Sequence, residues 1–477
     1  MNPLSKYLKS KYLKPVFFLL LIIFLLSLVG RIPFIDDGWI GELIYYLEKD
    51  GYVHSELMRG MNKQEIRFIA HHKLLSLHGL LFIKLFGFSL YTFKSVSLLY
   101  FVIFIILFYL YTLRWTKLSN KGDLWLALIL IIGWHYTFKF SFIFRPEIMM
   151  MTFGFAGYIL LEKYLSTNKG KIWYLILAGA SFGLTMVMHL QGIILVAAGF
   201  FLLLWNKRYL AVFGYGIGTL LAFSVYFYDF SSLSDFELWR HQVFDSPTNT
   251  RHLIKPLWLN PAVNIMKEHI RYFLSPKVYS FTILFFVTLI LGYKYLYRRQ
   301  PNLVRFCLLV IMLTSLIAVS KSQHYMLLNL PYFVLIITLT IKALKENQIS
   351  SWLIKSKRTE LAVQYILVVL FGTFIIVSSI YNVDLAMKKF SPDENRNLVL
   401  KYTDGKPDRI SVIAPTSFIF NEIGNFKRIH GDVCYKYLQR LDPTIKGDGF
   451  FRKADSFGID LMMISEKYQD GLGISGY

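Results

Sequence analysis

Long apolar runs recur from one end of this 477-residue sequence to the other, and they constrain its fold more than any other feature. Each run is close to the ~20 residues that a helix needs to cross the hydrocarbon core of a membrane. Hydrophobic residues make up 55% of the chain, which is more than a soluble domain requires. The sequence therefore predicts an all-α polytopic membrane protein. We place about eleven spans, at residues 16–30, 91–113, 124–143, 146–162, 172–188, 190–205, 209–228, 278–297, 303–320, 325–341 and 361–381.

Basic residues gather in the short loops on one side of these predicted spans, together with the basic N-terminus. Arg114, Lys207 and Arg298 are examples. By the positive-inside rule that side is cytoplasmic, so segments 229–276 and 382–477 are expected outside the cytoplasm, at a bacterial inner (plasma) membrane. The rule also accounts for the formal net charge of +22, and no nucleic-acid partner is expected.

The chain changes character near its C-terminal end, where polar and glycine-containing loops replace the apolar runs. Two short apolar runs remain, at 409–414 and 459–464, and each has the length of a strand. We predict two domains: a transmembrane domain over 1–381, and a small α/β extracytoplasmic domain over 382–477.

An acidic pair, Asp36 and Asp37, stands just past the first span in a loop of residues 31–90, which we call the first loop. One carboxylate at a membrane boundary can be desolvated while its neighbour meets water, which drives their pKa values apart and suits a general base. The alternative is that both acids cap the helix predicted by the apolar face of residues 39–49, since Asp is a favoured N-cap residue. Glu42 lies in this helix, either as an acid that supports the pair or on the exposed face.

Short motifs follow the acidic pair in a fixed order. They are His71-His72-Lys73-Leu74, Arg145-Pro146-Glu147 opening a span, His189-Leu190-Gln191-Gly192 between two spans, and Lys321-Ser322-Gln323-His324-Tyr325 before the tenth helix. With a basic N-terminus and one span ahead of the acids, this order resembles the GT-C superfamily of membrane glycosyltransferases. Within that superfamily it is most similar to the protein O-mannosyltransferases and the lipid A aminoarabinose transferases. The resemblance covers residues 1–341 and lies in the order of the motifs.

This resemblance implies that a polyprenyl-phosphate sugar donates its sugar to an acceptor hydroxyl at the outer membrane face, with inversion. The first acid of the family's site maps onto Asp36, the implied general base. Asp37 stands where the family usually has glutamate, which leaves the division of roles between the two acids open. The implied acceptor is a lipid, a glycan or a protein. The lipid-linked sugar is a co-substrate, and no cofactor is expected.

The remaining candidates lie mainly at the outer ends of spans and are expected to bind substrate. Arg145 and Lys321 are cations for the charge of a lipid-phosphate leaving group, although Arg145 is also explained as a snorkelling residue paired with Glu147. Tyr325 is a further donor to that phosphate, or an interfacial belt residue. The predicted substrate-binding set is Glu42, His71, His72, Arg145, Glu147, His189, Lys321, His324 and Tyr325. A divalent metal is not expected, because adjacent histidines diverge on a helix.

The main alternative is a non-enzymatic flippase or transporter of lipid-linked sugars or small solutes. Such a carrier is expected to bury polar residues near span midpoints, whereas the polar candidates here cluster at outer span ends. A sugar polymerase or ligase is a second alternative, and its reactive loop is expected late in the chain. The outer segment 229–276 carries further polar residues with a weak signal for substrate contact, namely Arg240, His241, Asp245, Arg251 and His252.

Overall fold

The computed structural model describes residues 3–114, 116, 121–167, 170–246, 257–349, 356–403 and 406–475, and most of them are helical. Within these residues, five helices are long and apolar enough to cross a membrane, and five more are apolar but shorter. Every predicted span overlaps a helix, whereas the number of membrane crossings stays a prediction. The principal helices are Ser10–Leu28, Leu90–Arg114, Lys121–Gly133, His135–Phe140, Pro146–Leu165, Ile172–Met188, Ile193–Trp205, Ala211–Phe223, Leu233–Phe244, Asn260–Met266, Glu268–Phe273, Pro276–Arg299, Pro301–Ile317, Leu330–Lys345 and Lys357–Met387.

The segment predicted as one span at 124–143 is divided in two. The backbone of Trp134 is extended, so one helix ends at Gly133 and the next begins at His135. Glycine weakens a helix, and the carbonyl of Gly133 accepts a hydrogen bond from Asn382 Nδ2 at 2.8 Å. The Gly133 carbonyl therefore keeps a hydrogen-bond partner although the helix ends there. After the break the chain continues through the short helix toward Arg145.

Two helices, Ile172–Met188 and Ala211–Phe223, pack with their backbones in close approach. A Cβ on Gly179 would lie 2.0 Å from the carbonyl oxygen of Tyr215. Such contacts between small residues are a common way to join helices within a membrane, where hydrophobic burial does not drive association. The first helix of this pair ends at Met188. The next residue, His189, has an extended backbone and starts the turn to the following helix.

The first loop contains two helices, Ile35–Asp50 and Lys73–Phe86. Between them the chain is held by Glu42, whose carboxylate accepts from Ser55 Oγ at 2.5 Å and from the Leu57 amide at 2.9 Å. Burial raises the pKa of Glu42 to about 8. The alternative that Glu42 lies on an exposed helix face is therefore wrong, because the side chain is turned inward to order the loop.

The C-terminal part contains a three-stranded parallel sheet in the order β2-β1-β3, with β1 at Ser411–Ala414, β2 at Arg428–Gly431 and β3 at Leu461–Met462. Strands β1 and β3 overlap the two predicted runs, whereas β2 has too few apolar residues to stand out in the sequence. The helix Lys357–Met387 continues past the predicted domain boundary at 381. The accompanying helices are Pro392–Leu400, Ile419–Glu422, Asp432–Leu441, Asp448–Ser456 and Glu466–Leu472.

The C-terminal part packs on the first loop. Gly431, at the end of β2, donates its amide to the carbonyl of Leu57 at 2.9 Å. A small apolar core joins Met58 and Met61 of the loop to C-terminal side chains that include Tyr435. The helix that begins at Ile35 is therefore covered by the C-terminal part on one side and by the bundle on the other.

Candidate active site

The two acids of the first loop have different surroundings although they are adjacent. The Asp37 carboxylate is fully buried and accepts from the amide of Phe34 at 2.7 Å and from the amide of Phe144 at 2.6 Å. Lys94 Nζ lies 3.8 Å from its Oδ2. Asp37 therefore caps the helix from its third residue and ties it to residue 144, whereas the capping alternative expected both acids to cap a helix over residues 39–49. Its neighbour Asp36 makes none of these backbone bonds and keeps 19% side-chain exposure.

Asp36 forms an ion pair with Arg145, which precedes the helix Pro146–Leu165. The Arg145 guanidinium also donates to Glu147, with Nη2 to Oε1 at 2.7 Å. His324 completes the group, with its Nε2 3.4 Å from Arg145 Nη2 and 3.5 Å from Glu147 Oε1. The snorkelling alternative for Arg145 anticipated its pairing with Glu147. The contact with Asp36, 109 residues earlier in the chain, was not predicted.

Burial and the charges of this group shift the pKa values of both Asp36 and Arg145. Burial raises the pKa of Asp36 above its usual value, and the negative charge of Glu147 adds to the rise, while Arg145 acts in the opposite direction. Although burial alone would lower it, the two carboxylates hold the pKa of Arg145 above its ordinary value. A carboxylate with a raised pKa is a stronger base than an exposed one, and its arginine partner stays charged.

Asp36 also faces a cavity of about 300 Å³ between the first loop and the turn at His189. The rings of His72 and His189 stack across one wall, with centroids 4.9 Å apart. His189 Nδ1 accepts from the Gln191 amide at 3.1 Å, which leaves the ring proton on Nε2. The lining residues are Ile35, Asp36, Trp39, Met58, Met61, Gln64, Phe68, Ala70, His71, His72, His189, Leu190, Gln191, Tyr226, Gln242, Val243, Ser246 and Tyr437.

Tyr325 connects this cavity to the charged group formed by Asp36, Arg145, Glu147 and His324. Its ring centroid lies 4.4 Å from that of His324 and 6.2 Å from that of His189. Burial, followed by the charge of Arg145, lowers the pKa of His324 to about 3, so this imidazole is neutral at physiological pH. The structure thus gathers Asp36, Arg145, Glu147, His72, His189, His324 and Tyr325 into one connected set of side chains.

Lys321 and His71 have partners outside this set. Lys321 Nζ is 2.7 Å from Glu268 Oε2, and Glu268 is also bonded to Arg271. His71 lines the cavity, but its Nε2 lies 3.1 Å from the carboxylate of Asp229. Lys321 and His71 are held by Glu268 and Asp229, acids far from them in the chain that belong to none of the motifs.

Asp229 is a residue that sequence reasoning missed. Its carboxylate oxygens lie 2.6 Å from Lys73 Nζ as well as bonding His71, and so join the end of the first loop to segment 229–276. The proximity of His71 and Lys73 in the chain is a weak signal that an acid is needed nearby. Of the other polar residues named in that segment, Arg251 and His252 lie outside the described residues.

Within the described part of the chain, no group of three or more His, Cys, Asp and Glu side chains has the arrangement of a metal site. The expectation that no metal cofactor is needed stays a prediction.

Comparison with known proteins shows similarity in fold rather than in sequence. The sequence matches no family model and no curated protein. ArnT from Cupriavidus metallidurans bound to undecaprenyl phosphate is 11% identical with a TM-score of 0.50, over 86% of this chain and 84% of that one. The oligosaccharyltransferase of Archaeoglobus fulgidus in complex with Zn and sulfate is 12% identical with a TM-score of 0.54, over 86% and 62%. The archaeal oligosaccharyltransferase AglB from the same organism, in complex with an inhibitory peptide and a dolichol-phosphate, is 12% identical with a TM-score of 0.50, over 87% of this chain and 64% of that one.

These neighbours are GT-C glycosyltransferases, and the similarity extends over most of this chain. Identities near 10% relate the folds and leave the chemistry of this chain to be argued from its own residues. The resemblance seen in the order of the motifs is confirmed at the level of architecture: the chain is an integral membrane protein with the GT-C glycosyltransferase fold.

Proposed function

We propose that the protein is a membrane glycosyltransferase that moves a sugar from a polyprenyl-phosphate donor to an acceptor hydroxyl, with Asp36 as general base. The observation that carries the proposal is the position of Asp36, whose carboxylate faces a cavity on one side and contacts Arg145 on the other. Solved neighbours support the donor class, since ArnT was seen with undecaprenyl phosphate and AglB with dolichol-phosphate.

In the proposed reaction, the acceptor hydroxyl binds in the cavity and gives its proton to Asp36 as its oxygen attacks the anomeric carbon. The bond from that carbon to the phosphate oxygen breaks, and the lipid phosphate leaves with the electron pair. Attack opposite the leaving group inverts the anomeric carbon. Because the phosphate competes with Asp36 for Arg145, donor binding would release the carboxylate to act as base.

The cations that hold the phosphate are best sought around Arg145. Lys139 Nζ lies 4.7 Å from the ring centre of Phe34, and the Arg145 guanidinium lies 5.7 Å from the same ring. Within the described residues the Lys139 ammonium has no ion-pair partner. Lys321 is paired with Glu268, which lies outside the set of side chains around Asp36, so we assign the main phosphate contact to Arg145 and Lys139 and a weaker one to Lys321.

The proposed site faces the outside of the plasma membrane, as the loop charges predict for the end of the bundle that carries the first loop. This orientation places the N-terminus in the cytoplasm and the C-terminal domain outside. It also fits a donor that is delivered within the membrane rather than as a cytoplasmic nucleotide sugar. The acceptor class in this proposal is a lipid, a glycan or a protein.

The test is release of the lipid product. Purified protein is incubated with a panel of undecaprenyl-phosphate sugars and candidate acceptors, and free undecaprenyl phosphate is measured. The proposal expects acceptor-dependent release with at least one donor, and its loss in Asp36→Asn. A flippase or transporter would move the donor across vesicles and release no lipid phosphate, so that result would reject the transferase.

A further inference from the structure

The cavity beside Asp36 has a charge pattern that narrows the class of acceptor. Among the described residues that line it, Asp36 is the one acidic side chain, and no lysine or arginine is present. The histidines on its wall are neutral at physiological pH, because burial lowers the pKa of both His71 and His189 to about 4 and that of His72 well below its usual value. An anionic ligand would therefore meet the carboxylate of Asp36, while the nearby cation, Arg145, does not line the cavity and is already engaged by Asp36 and Glu147.

Three residues that line the cavity carry a polar atom with no hydrogen-bond partner within the described part of the chain. They are Trp39 with its indole N–H, and Gln64 and Gln191 with their side-chain oxygens, and all three atoms are shielded from solvent. Buried polar atoms are normally paired, so unpaired ones on residues that line a cavity suggest a ligand that satisfies them. His189 adds a second donor through its Nε2 proton, as the bond to its Nδ1 requires.

This combination of donors and acceptors matches a ligand whose own groups both donate and accept. Hydroxyl groups do so, whereas a phosphate or a carboxylate only accepts and would face the glutamine oxygens without attraction. Apart from Gln242 and Ser246, the rest of the wall is aromatic and apolar, including Phe68, Tyr226 and Tyr437. Aromatic faces suit the apolar face of a sugar ring, and about 300 Å³ is at the small end of the range for ligand pockets.

We propose that the acceptor is an uncharged sugar residue that binds in this cavity with one hydroxyl facing Asp36. The inference rests on the proposed function and specifies its acceptor. The facing hydroxyl gives its proton to Asp36 and forms the new bond to the anomeric carbon, while the lipid phosphate departs with its electron pair. Trp39 and Gln191 hold the neighbouring hydroxyls and act as specificity determinants.

Binding is measured without turnover, on the full-length protein in nanodiscs, by saturation-transfer difference NMR. The probes are the methyl glycosides of glucose, galactose and mannose, glucose 6-phosphate, and the peptide N-acetyl-Gly-Ser-Gly-amide. At least one neutral glycoside should bind more tightly than the sugar phosphate and the peptide. Trp39→Phe keeps an aromatic ring, smaller than indole, and removes the donor, and it should weaken glycoside binding about tenfold, the effect of losing one buried hydrogen bond. Trp258→Phe is the matched control, since Trp258 is 76% exposed.

Tighter binding of glucose 6-phosphate or of the serine peptide would overturn the inference, as would equal glycoside affinity in Trp39→Phe and the wild type. Loss of donor affinity in Trp39→Phe with glycoside binding unchanged would assign the cavity to the donor sugar instead. Glycoside binding as expected, with no donor consumed by the wild type, would remove the proposed transferase and leave the ligand class of the cavity standing.

Discussion

Replacing Asp36 by asparagine separates its role as a base from any role in folding. Asp37, and not Asp36, takes the Phe34 and Phe144 amides, so the helix keeps its cap in Asp36→Asn. Arg145 loses one partner but retains Glu147 at 2.7 Å, so its charge stays compensated. The pair with Asp36 is mostly buried, with side-chain exposures of 17% and 19%. Because Glu147 still neutralises Arg145, its loss should cost less than the ~3 kcal/mol typical of a buried charge left without a partner.

The effect on catalysis should be far larger. Loss of a general base typically slows turnover ~100 to 10,000-fold, which corresponds to roughly 3 to 5 kcal/mol in the barrier. Burial raises the pKa of Asp36, so the wild-type rate should rise with pH through a value above that of an ordinary carboxyl group, because only the ionised form accepts a proton. Asp36→Asn should lack this rise.

The assay is release of undecaprenyl phosphate over a pH series, with donor affinity measured separately. Asp37→Asn is the comparison. It leaves the buried Lys94 without its counter-charge, so it should lower stability by about 3 kcal/mol and affect turnover less where the protein folds. Wild-type turnover in Asp36→Asn would refute the mechanism. A larger loss of turnover in folded Asp37→Asn would reassign the base.

Three further predictions concern the phosphate contacts, the buried acid of the first loop and the orientation of the chain. Arg145→Ala should weaken undecaprenyl phosphate binding at least about tenfold, because charge-assisted bonds are lost. Lys321→Ala should weaken this binding less, because the Lys321 ammonium is paired with Glu268 outside the group around Asp36. Equal losses of affinity in the two variants, measured by native mass spectrometry, would contradict this prediction. Because burial raises the pKa of Glu42 to about 8, this group should make the free energy of unfolding fall as pH rises from 4.5 toward 8, and the fall should be smaller in Glu42→Gln. An equal fall in both proteins across that range would contradict it. A reporter fused after residue 381 should be active outside the cytoplasm, and cytoplasmic activity would reverse the assigned orientation.

The helical part of the fold could be predicted from the sequence because it depends on local composition. Apolar runs of sufficient length form helices wherever they stand, and the turn at His189 was visible as a polar interruption. The interruption at Trp134 was not visible, because an apolar residue gives no sign of an extended backbone. Strand β2, Arg428–Gly431, was missed because it is short and carries a single large apolar residue.

The candidate site was partly predictable for a different reason. Asp36, Arg145 and His324 were found as polar residues at span ends, and the structure brings them together. The partners of Asp37 and Lys321 could not be predicted, because a backbone amide 107 residues away and the carboxylate of Glu268 leave no local pattern. Side-chain chemistry could be anticipated from the sequence, whereas the pairing that decides each role depends on tertiary contacts.

The position of Asp36 is fixed from two sides, and this bears on how the proposed base is prepared for reaction. On one side, Asp37 holds the amide of Phe144 and so places Arg145 against Asp36. On the other side, a Cβ on Gly38 would lie 2.2 Å from the carbonyl oxygen of Thr416, whose hydroxyl donates to the Ile35 carbonyl at 2.9 Å. The helix turn that carries the base is therefore clamped between the bundle and the C-terminal part. Under the proposed mechanism, a base held in place before the acceptor arrives would need little reorganisation in the transition state, and the C-terminal part would act as a positioning element.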